Sequence, residues 1–367
     1  MAEKVRIGII GCGQIAQQHL TNYAKIPDAE VVACADIDPA AADRSAARFG
    51  IPNVYYSAWE MLKRDDLDAI DVCVHNNLHV SGTVAVLESG RHCYCEKPMA
   101  GTYRDALTML ETARSLGKML HIQLAFLYTD ETRAAKELID CGELGELYHA
   151  RSTGFRRRGR PYVDGYGKQP FVQKQFSGGG AMYDMGVYHL SQLLYLLGNP
   201  KVSRVSGTTY QELPMDAGRR DAAGYSVEEL GVGFVRFEGK LTMDIIEAWA
   251  IQLNGMEGSC LVGSKGGVRF DPFSFQQTVG DVDLSSTVDL EMMRYRWNKL
   301  RGEEGLYGSS QEHWIAALQG RVPLLPTAEI ALTTALISEG IYLSAANNRE
   351  VTVEEILENS VSKAIPL

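Results

Sequence analysis

The chain has 367 residues, 45% of them hydrophobic and 22% charged, with a net charge of -10. That is soluble globular composition, long enough for two domains rather than one. The acidic balance argues against a nucleic-acid surface, and no stretch approaches the ~20 apolar residues of a membrane span.

Met1-Ala2-Glu3-Lys4 leads straight into an apolar strand, so no secretory signal is expected. The seven cysteines are an odd number, and several (Cys34, Cys73, Cys93, Cys95) fall in apolar segments. They read as reduced core residues of a cytoplasmic protein, not as disulfides or a metal site. Cys93 and Cys95 share a strand face without matching partners. His75 and His79 are four apart but lie on a strand-end turn, with no third ligand in view. No metal is expected.

In chain order, Val5 to Ile10 is a β-branched run suited to a strand buried on both faces. Gly11-Cys12-Gly13-Gln14-Ile15-Ala16 follows and leads into a helix toward Tyr23. Glu30 to Ala35 is a second strand, closed by Asp36-Ile37-Asp38-Pro39. Ala40 to Phe49 is helical, Asp68 to Val74 a strand, Val80 to Ser89 a helix. Arg91 to Cys95 is a short strand ending at Glu96-Lys97-Pro98. A helix over Arg104 to Ser115 and a strand over Met119 to Leu124 complete the series. This alternation predicts a doubly wound parallel sheet over residues 1–123.

The rhythm then changes. Thr132 to Asp140 is helical and Tyr148 to Phe155 a strand. A polar, aromatic-rich loop spans 156–176, and Ser177-Gly178-Gly179-Gly180 opens a helix to Leu197. Strand-like segments follow near 202–209, 229–237, 240–249, 258–262 and 267–270. Residues 124–367 thus read as an α+β domain with a mainly antiparallel sheet. A helix over about 328–344 closes it and is expected to pack back on the first domain.

The Gly11-x-Gly13-x-x-Ala16 turn lies between a strand and a helix, as a dinucleotide site requires. The first Gly permits the tight turn and the second admits a pyrophosphate. The helix N-terminus then offers its N–H groups to the phosphates. Asp36 ends the second strand, where it can accept from the ribose hydroxyls and repel a 2′-phosphate. NAD is therefore expected over NADP. Lys97 precedes a proline, which holds it extended, at the carboxyl end of a strand where open sheets bind ligands. A solvated lysine beside a turn is the plain alternative. The loop residues Arg160, Tyr162, Asp164, Tyr166 and Lys168 offer the mixture of rings and hydrogen-bonding groups that suits a sugar.

Over nearly its whole length the chain resembles the Gfo/Idh/MocA oxidoreductases. The likeness rests on Gly11–Ala16, Asp36-Ile37-Asp38-Pro39, Asn76-Asn77-Leu78-His79, Glu96-Lys97-Pro98, Ser177–Ala181 and Asp184-Met185-Gly186-Val187. It implies a Rossmann domain followed by an open-faced α/β domain whose sheet makes homodimer or homotetramer contacts. It also implies a sugar, glycoside or cyclitol substrate. Gly11, Gly13, Gln14, Ile15, Asp36, Asn76, His79, Glu96 and Lys97 are then the cofactor contacts. Arg160, Tyr162, Tyr166, Lys97, Asp184 and Tyr188 are the substrate contacts.

The family's catalytic set is the motif lysine, an aspartate on a helix of the second domain and a histidine four residues on. Here the aspartate maps to Asp184, but four on is Tyr188, with His189 following. Tyr188 shares the face of Asp184, while His189 is turned about 100° further round an α-helix. Some sugar- and diol-oxidising branches of the family carry tyrosine at that place, so Tyr188 is the first proton-transfer candidate. His189 reads first as helix packing beside Leu193 and enters the site only if the helix is distorted after Gly186. Lys97 then tunes the reacting hydroxyl and Asp184 orients the substrate. Two other functions fit the same residues: a redox-neutral glycosidase or lyase acting through a transient keto-sugar, and a non-catalytic NAD-binding regulator.

Overall fold

The computed structural model describes residues 4–367; the expectation placed on Met1–Glu3 lies outside the described residues. The chain divides into two compact units. The first comprises residues 1–123, 303–329 and 362–367; the second comprises 124–302 and 330–361.

The first unit holds a six-stranded sheet: β1 (Val5–Ile10), β2 (Ala29–Ala35), β3 (Asn53–Tyr55), β4 (Ala69–Val72), β5 (His92–Cys95) and β6 (Leu120–Ile122). Every pairing is parallel and the order is β3-β2-β1-β4-β5-β6. The order reverses between β1 and β4, so the ligand crevice of such a sheet lies beyond their carboxyl ends. Ile7, Ile9, Cys34, Ala69 and Tyr94 are buried with Tyr23 and Leu20 of the first helix, Gln14–Tyr23. Trp314 and Ile315 join the same core. That accounts for the return of residues 303–329 to this unit. Tyr94 Oη donates to Ser310 Oγ at 2.8 Å, and Ile122 N donates to Thr327 Oγ1 at 3.0 Å.

The second unit is built on a nine-stranded mixed sheet. Its strands are β7 (Leu147–Phe155), β8 (Val202–Tyr210), β9 (Leu230–Phe237), β10 (Thr242–Ala248), β11 (Cys260–Gly263), β12 (Gly266–Phe270), β13 (Phe273–Val279), β14 (Val282–Thr287) and β15 (Val351–Thr352). Their order is β14-β13-β12-β11-β7-β10-β9-β8-β15. Only β7 and β10 pair in parallel, Glu247 standing opposite Gly154. Along β10, Met243, Ile245 and Glu247 are buried while Thr242, Asp244 and Ile246 are half-exposed, so one face of the sheet is covered and the other open.

The long helix, Thr327–Asn347, belongs to the second unit from Ile330 onward. Ile341 reaches the β8 and β9 backbone, where a Cβ on Gly233 would meet its Cδ1 at 2.6 Å. Tyr342 stacks on Tyr183, ring centroids 5.8 Å apart. The cysteines are all unpaired; five are buried, Cys260 is half-buried and Cys141, contrary to the core reading, is exposed. No helix among the described residues is long and apolar enough to cross a membrane.

Candidate functional site

In the first unit the predicted residues collect at the carboxyl ends of the strands. Gly11 ends β1 with φ +88°, and a Cβ there would sit 2.4 Å from the Cys73 carbonyl oxygen, so only glycine lets this turn pass the β4 end. A Cβ on Gly13 would meet nothing within 4 Å. Gly13 caps a helix that carries neither a side-chain cap nor an acid in its first turn. Its N–H groups and positive dipole end are unopposed, the setting a pyrophosphate needs. Asp36 accepts from Cys12 N at 2.6 Å and from Asp38 N at 2.8 Å, which ties this strand-end acid to the glycine turn. These residues fit NAD.

His79, one of the expected cofactor contacts, lies behind the turn. Its ring is 1% exposed, its Nδ1 lies 2.8 Å from the Pro98 carbonyl oxygen and its Nε2 3.1 Å from that of Val74. It braces the β4 turn against the Lys97-Pro98 segment. Burial pushes its pKa down. Asn76 lies in the short 3-10 turn beside it.

Lys97 is half-buried just past β5. Its backbone N–H donates to Glu96 Oε2 at 2.9 Å. Glu96 is itself buried, and its other oxygen, Oε1, is 2.7 Å from His19 Nε2. His19 Nδ1 is 2.8 Å from Asp71 Oδ2. Cys73 Sγ closes the group at 3.4 Å from both His19 Nδ1 and Asp71 Oδ1. Burial alone would lower the His19 pKa, but the Asp71 charge lifts it well above the ordinary value. Burial would raise Glu96, and its hydrogen bond to His19 brings it below its ordinary value. His19, Asp71 and Cys73 are compact enough to hold a metal ion, but their atoms are already engaged with one another. Sequence reasoning missed His19 and Asp71, which lie 52 residues apart.

In the second unit Asp184, Tyr188 and His189 are carried by a helix that opens on one wide turn, Met182–Gly186, of π type, and continues as α-helix over Val187–Leu196. In such a turn the hydrogen bond spans five residues, so the α-helical step assumed for His189 does not hold from Asp184 onward. The buried Glu228 carboxylate anchors the start, accepting from Gly180 N at 2.9 Å, Met182 N at 3.0 Å and Tyr342 Oη at 2.7 Å.

Two contacts set the helix on β10. Asp184 Oδ2 accepts from Trp249 Nε1 at 2.9 Å, and His189 Nδ1 is 3.0 Å from Glu247 Oε2. Glu247 and Trp249 are two apart along an extended segment and so point the same way, which brings Asp184 and His189 to one side of the sheet. Glu247 is wholly buried and accepts from Ser152 Oγ at 2.8 Å. A Cβ on Gly154 would lie 2.2 Å from His189 Cε1 and 2.4 Å from Glu247 Oε2, so the pair occupies space that a glycine clears. Burial would lower the His189 pKa, but the Glu247 charge raises it above the ordinary value. Phe126 packs against both candidates, with ring centroids 5.1 Å from Tyr188 and 5.3 Å from His189.

The loop residues divide. Arg160, expected as a substrate contact, is 1% exposed and ties the loop to residues beyond it. Its guanidinium donates to Asp164 at 2.8 Å, Glu229 at 2.9 Å and the Leu213 and Pro214 carbonyls. Desolvation makes a lone buried cation costly, and two carboxylates offset that here. Tyr162 adopts φ 61° and packs half-buried on the cluster containing Trp249, Met185 and Val172. Tyr166 is exposed, with its hydroxyl on the Gly159 carbonyl at 2.6 Å and the Arg156 guanidinium over its ring.

Comparison with known proteins bears on the family and the fold. Residues 5–124 match the oxidoreductase family with an NAD-binding Rossmann fold, and residues 132–269 match the GFO/IDH/MocA C-terminal domain. The chain is 29% identical to D-glucoside 3-dehydrogenase of Escherichia coli (strain K12) over 355 residues, which is 95% of this chain and 97% of that one. It is 31% identical to dTDP-3,4-didehydro-2,6-dideoxy-alpha-D-glucose 3-reductase of Saccharopolyspora spinosa over 245 residues, 64% of this chain and 70% of that one. Among solved structures, levoglucosan dehydrogenase in complex with NADH and L-sorbose shares the fold, with a TM-score of 0.75 at 20% identity, covering 96% of this chain and 99% of that one. The glycine turn with Asp36, the Lys97 motif and the two matched domains together make this chain a member of the Gfo/Idh/MocA family, an NAD-dependent dehydrogenase.

Proposed function

We propose that the protein oxidises a secondary alcohol of a sugar, glycoside or cyclitol, or runs that reaction in reverse. The two relatives compared above are named for reactions at position 3 of a hexose, so we place the reacting carbon at position 3 of a glucose-like ring. The observation that carries the reading is Lys97: a half-buried lysine at the carboxyl end of β5, its backbone N–H held by the buried Glu96, in a domain built for NAD.

NAD, when bound, supplies the hydride acceptor. The chain's own residues manage the proton and the orientation. Lys97 donates to the reacting oxygen and favours its deprotonated form. A proton acceptor needs a pKa near the working pH and a fixed ring. Glu247 fixes the His189 ring and raises its proton affinity, holding Nδ1–H and leaving Nε2 as the accepting atom, the arrangement of a carboxylate-oriented histidine base. Tyr188 is the competing group and would need its proton affinity lowered by a neighbouring cation. Asp184, held by Trp249, orients substrate hydroxyls. Tyr162 and Tyr166 supply ring surface.

Dimer or tetramer contacts we assign to the open sheet face, where Val232, Phe234 and Ile246 lie half-buried beside the His149–Asp244–Arg151 group. We place the protein in the cytoplasm.

The test is a panel of methyl glycosides, free sugars and inositols with NAD and with NADP, followed at the NADH absorbance. Reduction of NAD by a glucoside or hexose is expected. No NADH from any of them, with sugar cleavage instead, would replace this reading by the redox-neutral one.

A further inference from the structure

His19 and Asp71, buried behind Glu96 and Lys97, are not used by the mechanism above. His19 is 1% exposed, Asp71 is fully buried and Glu96 is 5% exposed. A surface lysine motif needs no such interior. Asp71 and Glu96 offer only acceptor oxygens when ionised, and each meets a different nitrogen of one ring, at 2.8 and 2.7 Å. A histidine between two carboxylates must donate from both nitrogens, so it is an imidazolium. Tyr94 packs edge-on at 5.6 Å, and Cys73 lies beside Nδ1 at 3.4 Å. Tyr23 faces Asp71 from the same helix as His19. None of these adds a charge, so the cluster keeps one negative charge in excess. Lys97 follows Glu96 directly in the chain, and its charge also draws the Glu96 carboxyl down.

The group joins three elements. His19 lies on the helix that follows the glycine turn, Asp71 lies on β4, and Glu96 holds the Lys97 backbone N–H.

We propose that His19 is a positioning residue for Lys97: with Asp71 and Glu96 it forms a closed, buried charge relay that fixes the lysine against the nucleotide-binding helix and sets an unbalanced negative charge beside its ammonium. The inference rests on the dehydrogenase reading for its kinetic part only. Its electrostatic part concerns the protein without cofactor.

The test uses the full-length protein. Lysines are reductively ¹³C-methylated, and the Lys97 signal, assigned by its loss in Lys97→Arg, is titrated by NMR without NAD. In Glu96→Gln, which keeps the side chain's size, the Lys97 midpoint moves to lower pH, because the neighbouring negative charge is gone. The kcat with the active sugar falls by about 10²-fold, as for a reacting group displaced by about 1 Å, with the NAD dissociation constant near wild type. His19→Gln gives a similar loss of kcat without a matching rise in KM for NAD; should that variant fail to fold, Glu96→Gln decides alone. A Lys97 midpoint unmoved in Glu96→Gln, or wild-type kcat with only a lower melting temperature, overturns the proposal. A wild-type enzyme silent toward every sugar overturns the dehydrogenase reading instead, and the titration still judges the relay.

Discussion

Each unit holds a histidine on a helix against a buried carboxylate, and the two are built to opposite ends. His19 has carboxylates on both nitrogens and is 1% exposed. His189 has a carboxylate on one nitrogen and is 19% exposed. A ring with both nitrogens paired can neither take nor give a proton without leaving a buried carboxylate uncompensated, which is costly. A ring paired on one side only is oriented and made more basic, yet keeps a second nitrogen for chemistry. The same residue type is thus arranged as a fixed cation in one place and, in the function proposed, as a titrating base in the other.

The comparison breaks most visibly at the reacting groups. His189→Gln and Lys97→Met should each lower kcat by about 10²–10⁴-fold, the usual contribution of positioned proton transfer, with NAD binding measured by fluorescence near wild type. If Tyr188→Phe is the more damaging variant and His189→Gln the milder, the open histidine is not the base. His19→Ala should cost stability instead, about 3–5 kcal/mol for stranding buried carboxylates, read by chemical denaturation. The sign with pH follows from the shifts. The raised His19 gives stability that is full below about pH 6.5 and is lost as pH rises through its folded value. The lowered Glu96 gives stability that is present above about pH 4.3 and lost as pH falls through its folded value. A His19→Ala deficit that does not shrink in alkaline solution contradicts the imidazolium assignment.

Glu247→Gln sharpens the other half. His189 must be neutral to accept a proton, so the acid limb of the pH–rate profile tracks its pKa. Losing Glu247 lowers that pKa, and the limb moves to lower pH, with a smaller loss of kcat than His189→Gln. Least in effect, Asp36→Ser should relax the preference for NAD over NADP without altering kcat, as judged by KM for the two cofactors.

Much of this was legible along the chain, and the gaps have physical causes. The Gly11–Ala16 turn, Asp36 and Lys97 stood out because each occupies one short stretch at a strand end, where spacing carries the meaning. The pairs that tune them do not. Glu96 meets His19 across 77 residues and Glu247 meets His189 across 58, and no local period signals either. Arg160 looked like a solvent-facing cation because charge is usually exposed; its partners Asp164 and Glu229 make it interior. The strands β13 and β14 escaped notice because polar residues interrupt their alternation at the sheet edge, as in Gln276-Gln277 and Ser285-Ser286. The wide turn at Met182–Gly186 has no sequence period of its own, so the register of His189 could only come from the fold.

The account is tested most directly by mixing the wild-type protein and Lys97→Met with NAD and a methyl glucoside and following NADH. It predicts a steady rise for the wild type and almost none for the variant. Equal rates in both, or no NADH from the wild type with any sugar, would contradict it.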